Sequence, residues 1–243
     1  MLKNYLKVAL RALIRNKGFS LINILGLAVG MSCSILIMLW VNHELTFDRF
    51  HAKGDRIVRV VRLDAENPSD GIARTGAPWG PALQQDYPEV ESSVRFRYYG
   101  RTLMSAGDKR FFDDEGLYAD PTFFDIFSFE LLAGDARTAL IEPTSIVLTQ
   151  SLARKHFGEK NPVGEFMTLD KENRRITGVV QDVPENSHFS FSFLVPFSSY
   201  SLWDLDEWDV SNFHVYLLLR SKDDIKPLEA KMPEFVTRHL DAE

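Results

Sequence analysis

One stretch interrupts the otherwise mixed pattern of apolar and polar positions: Phe19 to Val41, FSLINILGLAVGMSCSILIMLWV, which contains no charged residue. As a helix it would reach about 34 Å, against a hydrocarbon core of about 30 Å. Twelve of its residues are Leu, Ile, Val or Phe, each favouring insertion by roughly 0.3 to 0.6 kcal/mol near the bilayer centre. The pattern predicts a membrane helix. The run is too long for a signal-peptide core, and Asn42-His43-Glu44-Leu45 offers no small-x-small cleavage site, so an uncleaved anchor is expected. Within it Gly26, Gly30 and Ser34 recur every fourth residue, a groove of small side chains on which another membrane helix could pack closely.

Upstream, Lys3, Lys7, Arg11 and Arg15 also recur every fourth residue, and Leu6, Leu10, Leu13 and Ile14 lie mostly off that stripe. This predicts a helix over residues 1–18 lying in an anionic membrane interface, with Lys17 at its end. Downstream, NHELTFDRFHAKGDR predicts an extension of the membrane helix to about Phe50 and a turn at Gly54. Period-2 patterns then predict strands at 56–63, 94–99, 144–148, 165–169, 174–183, 189–197 and 212–220, the segment 189–197 placing Phe189, Phe191 and Phe193 on one face. Helices are expected at 78–86, at 121–127 with Phe123, Phe124 and Phe127 converging, at 150–157 with Thr149 as N-cap and Gly158 as stop, and at 225–240 with a kink at Pro233. Residues 56–99 read as a β-α-β unit and 212–240 as a strand-helix unit, with hairpins between 101 and 120 and a loop at 199–209. The class is α+β.

Charge is asymmetric. Residues 1–41 hold five basic residues and no acid, which leaves 23 basic and 34 acidic residues beyond them, a net of −11. That balance argues against nucleic-acid binding. Lys7, Arg11, Arg15 and Lys17 before the span outnumber Arg49, Lys53 and Arg56 after it, which favours a cytoplasmic N-terminus by a small margin. The single cysteine, Cys33, lies in the anchor, so disulfides and thiolate zinc sites are excluded from the rest of the chain.

Sites for chemistry are sparse. There is no G-x-x-x-x-G-K-[ST], G-x-S-x-G or H-E-x-x-H. His43 and His51 are poorly spaced for one metal, and Asp113-Asp114-Glu115 lacks the glycine and ligand spacing of a calcium loop. Ser187 and His188 are adjacent, so in an extended segment they face opposite ways, and Asn186 and Ser187 are better suited to bonding the backbone after Pro184. No catalytic, cofactor-binding or metal-binding residue is expected, and a membrane-anchored hydrolase has no legible acid-base set.

Five blocks in order, KVALRALIRNKGFSLINILGLAVG, HELTFDRFH, PTFFDIFSFELLAGD, SIVLTQSLARKHFGEKNPVG and ITGVVQDVPENSHFSF, resemble the N-terminal portion of MacB-type, FtsX-like ABC-transporter permeases. The resemblance implies a first membrane helix with extension over 19–47 and a two-lobed periplasmic core domain over 48–243. Its porter-like lobe would be 56–100 with 189–243, and its inserted, mainly β lobe 101–188. It further implies an inner-membrane permease with a cytoplasmic N-terminus, working as a homodimer or pseudo-dimer with a separate cytoplasmic ATPase that binds ATP. Periplasmic or outer-membrane proteins would be further partners, and the transmitted motion would serve efflux or release of an envelope substrate. On this view the chain is the front of a longer permease. The basic stripe would sit by lipid headgroups and the ATPase, and Glu44, Leu45, Phe47, Asp48 and Phe50 would form a coupling joint. A single-span sensor or assembly protein with an extracytoplasmic binding domain is the alternative, and the reading frame past Glu243 would separate the two. If the joint is a rigid lever, glycine at Leu45 and Phe47 should uncouple ATP hydrolysis from periplasmic movement in the full-length permease; unchanged transport-linked activity would refute the lever.

Overall fold

The computed structural model describes residues 2–63, 71–201 and 203–240, with the side chains of residues 2, 3, 6 and 9 outside that description. Two compact units divide at Phe47 and Asp48. The first holds helices α1 (Leu2–Arg15) and α2 (Lys17–Leu45). α2 is long and apolar enough to cross a membrane, and its apolar side chains are exposed along its length, as a lipid-facing helix requires.

The second unit contains, in chain order, β1 (Ile57–Arg59), α3 (Trp79–Asp86), β2 (Val90–Tyr98), β3 (Thr102–Ala106), β4 (Lys109–Asp113), β5 (Gly116–Ala119), α4 (Phe123–Ile126), β6 (Leu131–Gly134) and β7 (Ser145–Thr149). It continues with α5 (Gln150–Phe157), β8 (Phe166–Leu169), β9 (Glu172–Val180), β10 (Phe193–Pro196), β11 (His214–Leu219) and α6 (Ile225–His239). The strands form one continuous sheet in the order β1-β11-β2-β5-β10-β7-β9-β8-β3-β4, with β6 on β9. At one end β11 pairs antiparallel with both β1 and β2, so β1 and β2 run parallel with β11 between them and α3 in the crossover. Trp79 and Leu83 of α3 meet Leu228 and Phe235 of α6 over the buried Val215, Leu217 and Leu219. Farther along, β7 and β9 pair in parallel, joined through α5 and β8. Thr149 caps α5 by accepting from the Leu152 amide, and Gly158 ends it at φ +67°.

The centre of the sheet is closed by aromatic rings. Phe96, Phe123, Phe127, Phe129, Phe189 and Phe191 bury together with Leu117, Leu194 and Tyr216, each phenylalanine contributing about 1.5 to 3 kcal/mol of transfer free energy. On the other side of the sheet Gly116 permits close approach, since a Cβ on it would lie 2.0 Å from the Phe193 ring. The long connection from β10 to β11 is held by polar contacts: the buried Asp204 carboxylate accepts from Arg97 (2.8 Å), Tyr200 (2.8 Å) and Asn212 (2.5 Å).

Several expectations are corrected. α2 ends at Leu45, and residues 46–50 form a turn instead of further helix, because Asp48 reverses the chain at φ +57°. The break between the first two helices falls at Asn16, two residues before the expected boundary. The strand expected over 56–63 shrinks to β1, preceded by a short 3-10 turn at Gly54–Arg56, with Arg62 reduced to an isolated bridge to Ile72. β9 begins at Glu172, two residues before the strand expected from 174, because Asp170 at φ +54° makes a two-residue turn that pairs Glu172 with Leu169. Phe193 does not share a face with Phe189 and Phe191. Residues 189–192 lie outside the strand, and Phe193 joins Ile146, Leu148 and Leu152 on the other side of the sheet. Of the polar, glycine-containing segment 64–77, which the sequence predicts as a loop, residues 64–70 lie outside the described residues.

Phe123→Ala should lower the unfolding free energy by about 3 to 5 kcal/mol, because its ring is fully buried against Phe96, Phe127, Phe129, Phe189 and Phe191; denaturant unfolding followed by tryptophan fluorescence measures it.

Candidate functional site

The chain leaves α2 through a short capped turn. The Thr46 amide and hydroxyl both donate to the His43 carbonyl (3.1 and 2.7 Å), the Phe47 amide donates to Glu44 O (3.4 Å), and the Phe47 ring meets His43 edge-on at 5.2 Å. Asp48, the first residue of the second unit, adopts a left-handed backbone that costs a non-glycine residue about 1 kcal/mol. Its polar groups are held in compensation. The Asp48 amide donates to Asn186 O (2.9 Å), Oδ1 accepts from the His188 amide (3.1 Å), and Oδ2 lies 2.7 Å from His188 Nδ1. The other ring nitrogen, Nε2, lies 2.5 Å from the Tyr216 hydroxyl. Burial, opposed by nearby Arg59, pushes the Tyr216 phenol up to about 12, so it keeps its proton.

A second set of contacts follows within five residues. His51 is 6 % exposed, and its Nδ1 accepts from the Ser128 amide at 3.1 Å. Ser128 Oγ accepts from the Ala52 amide (2.9 Å), and Lys53 Nζ donates to Asp125 O (2.6 Å). Phe50 packs on Phe129 at 5.6 Å, and the His51 ring lies 5.2 Å from Phe127. Residues 48–53 are therefore fastened to the α4–β6 connection on one side and to 186–188 on the other.

The predicted residues separate into two groups. Asp48 and Phe50 are brought into this cluster, whereas Glu44 and Leu45 are exposed at the end of α2 and Phe47 lies in the turn, so of the two proposed glycine positions only Leu45 is helical. Gly26 and Gly30 have open space where a Cβ would stand, and the Ser34 hydroxyl donates back to Gly30 O (2.9 Å). Lys7, Arg11, Arg15 and Lys17 are exposed, and the Lys3 side chain lies outside the described residues. Sequence reasoning missed His188, Tyr216 and Ser128. The ENSH segment after Pro184 was visible as a turn, but its partners lie 28 and 140 residues away. Ser187 Oγ donates to Phe189 O (2.8 Å), away from the His188 pair. An open groove of about 350 Å³ beside α5 is lined by Thr149, Ser151, Lys155, Asp182 and Ser192. There Asp182 already accepts from the Ser151 amide and hydroxyl, which leaves the helix start satisfied.

His51 carries a pH consequence. Burial pushes its imidazole down to about 4, with Asp48 pulling it up and His188 adding to the fall. A protonated Nδ1 could not accept from Ser128, which agrees with the direction. His156 and His214 are also lowered to about 4, chiefly by burial. Each binds its proton more readily unfolded, so their stabilising effect is complete above the unfolded value of about 6.5 and declines as pH falls toward 4. The melting temperature should therefore drop between pH 7 and pH 5, and His51→Gln should flatten that dependence; a variant with the wild-type slope would refute the assignment to His51.

The model of the MacB-like periplasmic core domain family matches residues 20–235. No curated protein matches the chain. Among solved structures, a domain described as that of a permease protein from Porphyromonas gingivalis is 28% identical, with TM-score 0.69, covering 79% of this chain and 88% of that one. The periplasmic region of MacB from Actinobacillus actinomycetemcomitans is 14% identical, with TM-score 0.55, covering 75% of this chain and 83% of that one. The extracellular domain of the noncanonic ABC-type transporter YknZ from Gram-positive bacteria is 13% identical, with TM-score 0.56, covering 77% of this chain and 96% of that one. The last two share the fold. With most of its length matched by the family model, this chain belongs to the MacB-like periplasmic core domain family of permease-type ABC transporters.

Proposed function

We propose that this chain is the membrane-anchored front part of an ABC-transporter permease subunit, which passes motion from a cytoplasmic ATPase to a periplasmic domain for efflux or release of an envelope substrate. In this reading α2 spans the bacterial inner membrane with α1 on the cytoplasmic side, where the stripe of Lys7, Arg11 and Arg15 faces anionic lipid headgroups and the ATPase. Gly26, Gly30 and Ser34 form the face that packs against another membrane helix, within a permease dimer or pseudo-dimer. ATP is bound by the separate ATPase, and this chain contributes no cofactor site and no catalysis. Periplasmic or outer-membrane proteins complete the assembly. The porter-like lobe comprises 56–100 and 189–243 and the inserted lobe 101–188. Placement of β5 between β2 and β10 makes the two lobes share one sheet, which suits a domain that moves as a stiff body.

The observation that carries the reading is the joint. An apolar helix is followed, within three residues of its end, by a backbone reversal at Asp48 that is fastened by hydrogen bonds on both sides. The reversal is thus held from within the second unit.

The test has two arms in the native host. Affinity purification of the tagged protein from solubilised inner membranes should recover an ABC-type ATPase, and protease added to spheroplasts should remove the domain beyond Asp48 while sparing an N-terminal tag. Recovery of a kinase or cyclase without an ATPase would favour the sensor reading. A domain protected in intact spheroplasts would overturn the proposed orientation.

A further inference from the structure

We infer that Tyr216 and His188 are positioning residues for the backbone reversal at Asp48, acting through a hydrogen-bond relay of fixed polarity that runs from Tyr216 through His188 to Asp48. The inference deepens the proposed function, because it specifies what holds the first residue of the second unit.

The polarity follows from which groups can donate. A carboxylate only accepts, so His188 Nδ1, 2.7 Å from Asp48 Oδ2, carries a proton. In the neutral imidazole Nε2 then accepts, and the Tyr216 hydroxyl 2.5 Å away donates to it. The opposite tautomer would set the Nδ1 lone pair against the Asp48 carboxylate.

The relay begins at a rigid place. Tyr216 is buried in β11, its ring stacked on Phe96 at 5.5 Å and edge-on to Phe127 at 5.4 Å. β11 is hydrogen-bonded on both sides, to β1 and β2. Phe189 packs edge-on to the His188 ring at 4.9 Å. The phenol oxygen is thus fixed by the core, the imidazole by the phenol, and the reversed backbone of Asp48 by the imidazole together with the His188 amide. Such a chain of polarised bonds stiffens as a unit, and with three side chains it ties the first residue of the second unit to the interior of the sheet.

The experiment uses the full chain in lipid nanodiscs, with no ATPase and no nucleotide. Selective ¹⁵N-histidine labelling, assigned with His188→Gln, should show His188 at pH 7.5 as the tautomer protonated on Nδ1. Tyr216→Phe should give a mixture of tautomers and raise hydrogen exchange at the Asp48 and His51 amides at least tenfold, with exchange in β7 and β9 unchanged. Should Tyr216→Phe fail to fold, Asp48→Asn removes the carboxylate that accepts from Nδ1 and should produce the same mixture with a smaller rise in exchange at the His51 amide. A wild-type His188 protonated on Nε2 would overturn the relay, as would variants whose tautomer and Asp48 exchange match wild type. Since no partner is present, that outcome would leave the permease assignment standing, while absence of an ATPase partner in the host would leave the relay intact.

Discussion

The reversal of the backbone at Asp48 is the constraint on which the arrangement of this chain depends. An aspartate in the left-handed region is uncomfortable by about 1 kcal/mol, and a charged carboxylate so near an apolar span has few stable environments. Both are resolved by segments far away in sequence. Asn186 accepts the amide, and His188 takes both carboxylate oxygens. The strained residue is consequently stable only when the domain is folded, which makes the reversal at Asp48 a property of the tertiary structure.

The stiffness needed around that point comes from the sheet. Parallel and antiparallel pairings run without interruption from β1 to β4, and phenylalanine rings from α4, from 189–191 and from β2 interlock over its centre. Ring pairs at 5 to 6 Å, such as Phe96 with Phe189 at 4.9 Å and Phe123 with Phe129 at 5.7 Å, add directional packing to area burial. Because Phe50 and His51 are embedded in the same cluster through Phe127 and Phe129, the first residues of the domain share its rigidity. His51 is kept neutral by that burial, and its neutrality is what lets it accept the Ser128 amide.

Local chemistry made much of the architecture legible. The uncharged run, the Thr149 cap with Gly158 stop and the amphipathic spacing of α3 and α6 depend on neighbours within a turn or two, so the residues themselves announce them. The strand expected across 189–197 shows the limit: alternating phenylalanines suggested one shared face, yet Phe193 crosses to the other side of the sheet because residues 189–192 close the core as loop. The helix expected to reach Phe50 fails for a related reason. Helical propensity is continuous there, and only distant acceptors favour the reversal at Asp48.

The sequence by itself determined the long apolar helix, the α+β class and the lack of cysteine beyond Cys33, since these follow from composition and short-range periodicity, and five sequence blocks carried the family resemblance. Tertiary structure alone decided that β11 lies between β1 and β2, that β7 and β9 run parallel, and that Asp48, His188 and Tyr216 meet. Those groups are separated by up to 168 positions, and hydrogen-bond polarity among them exists only once the sheet has brought their atoms within about 3 Å of one another.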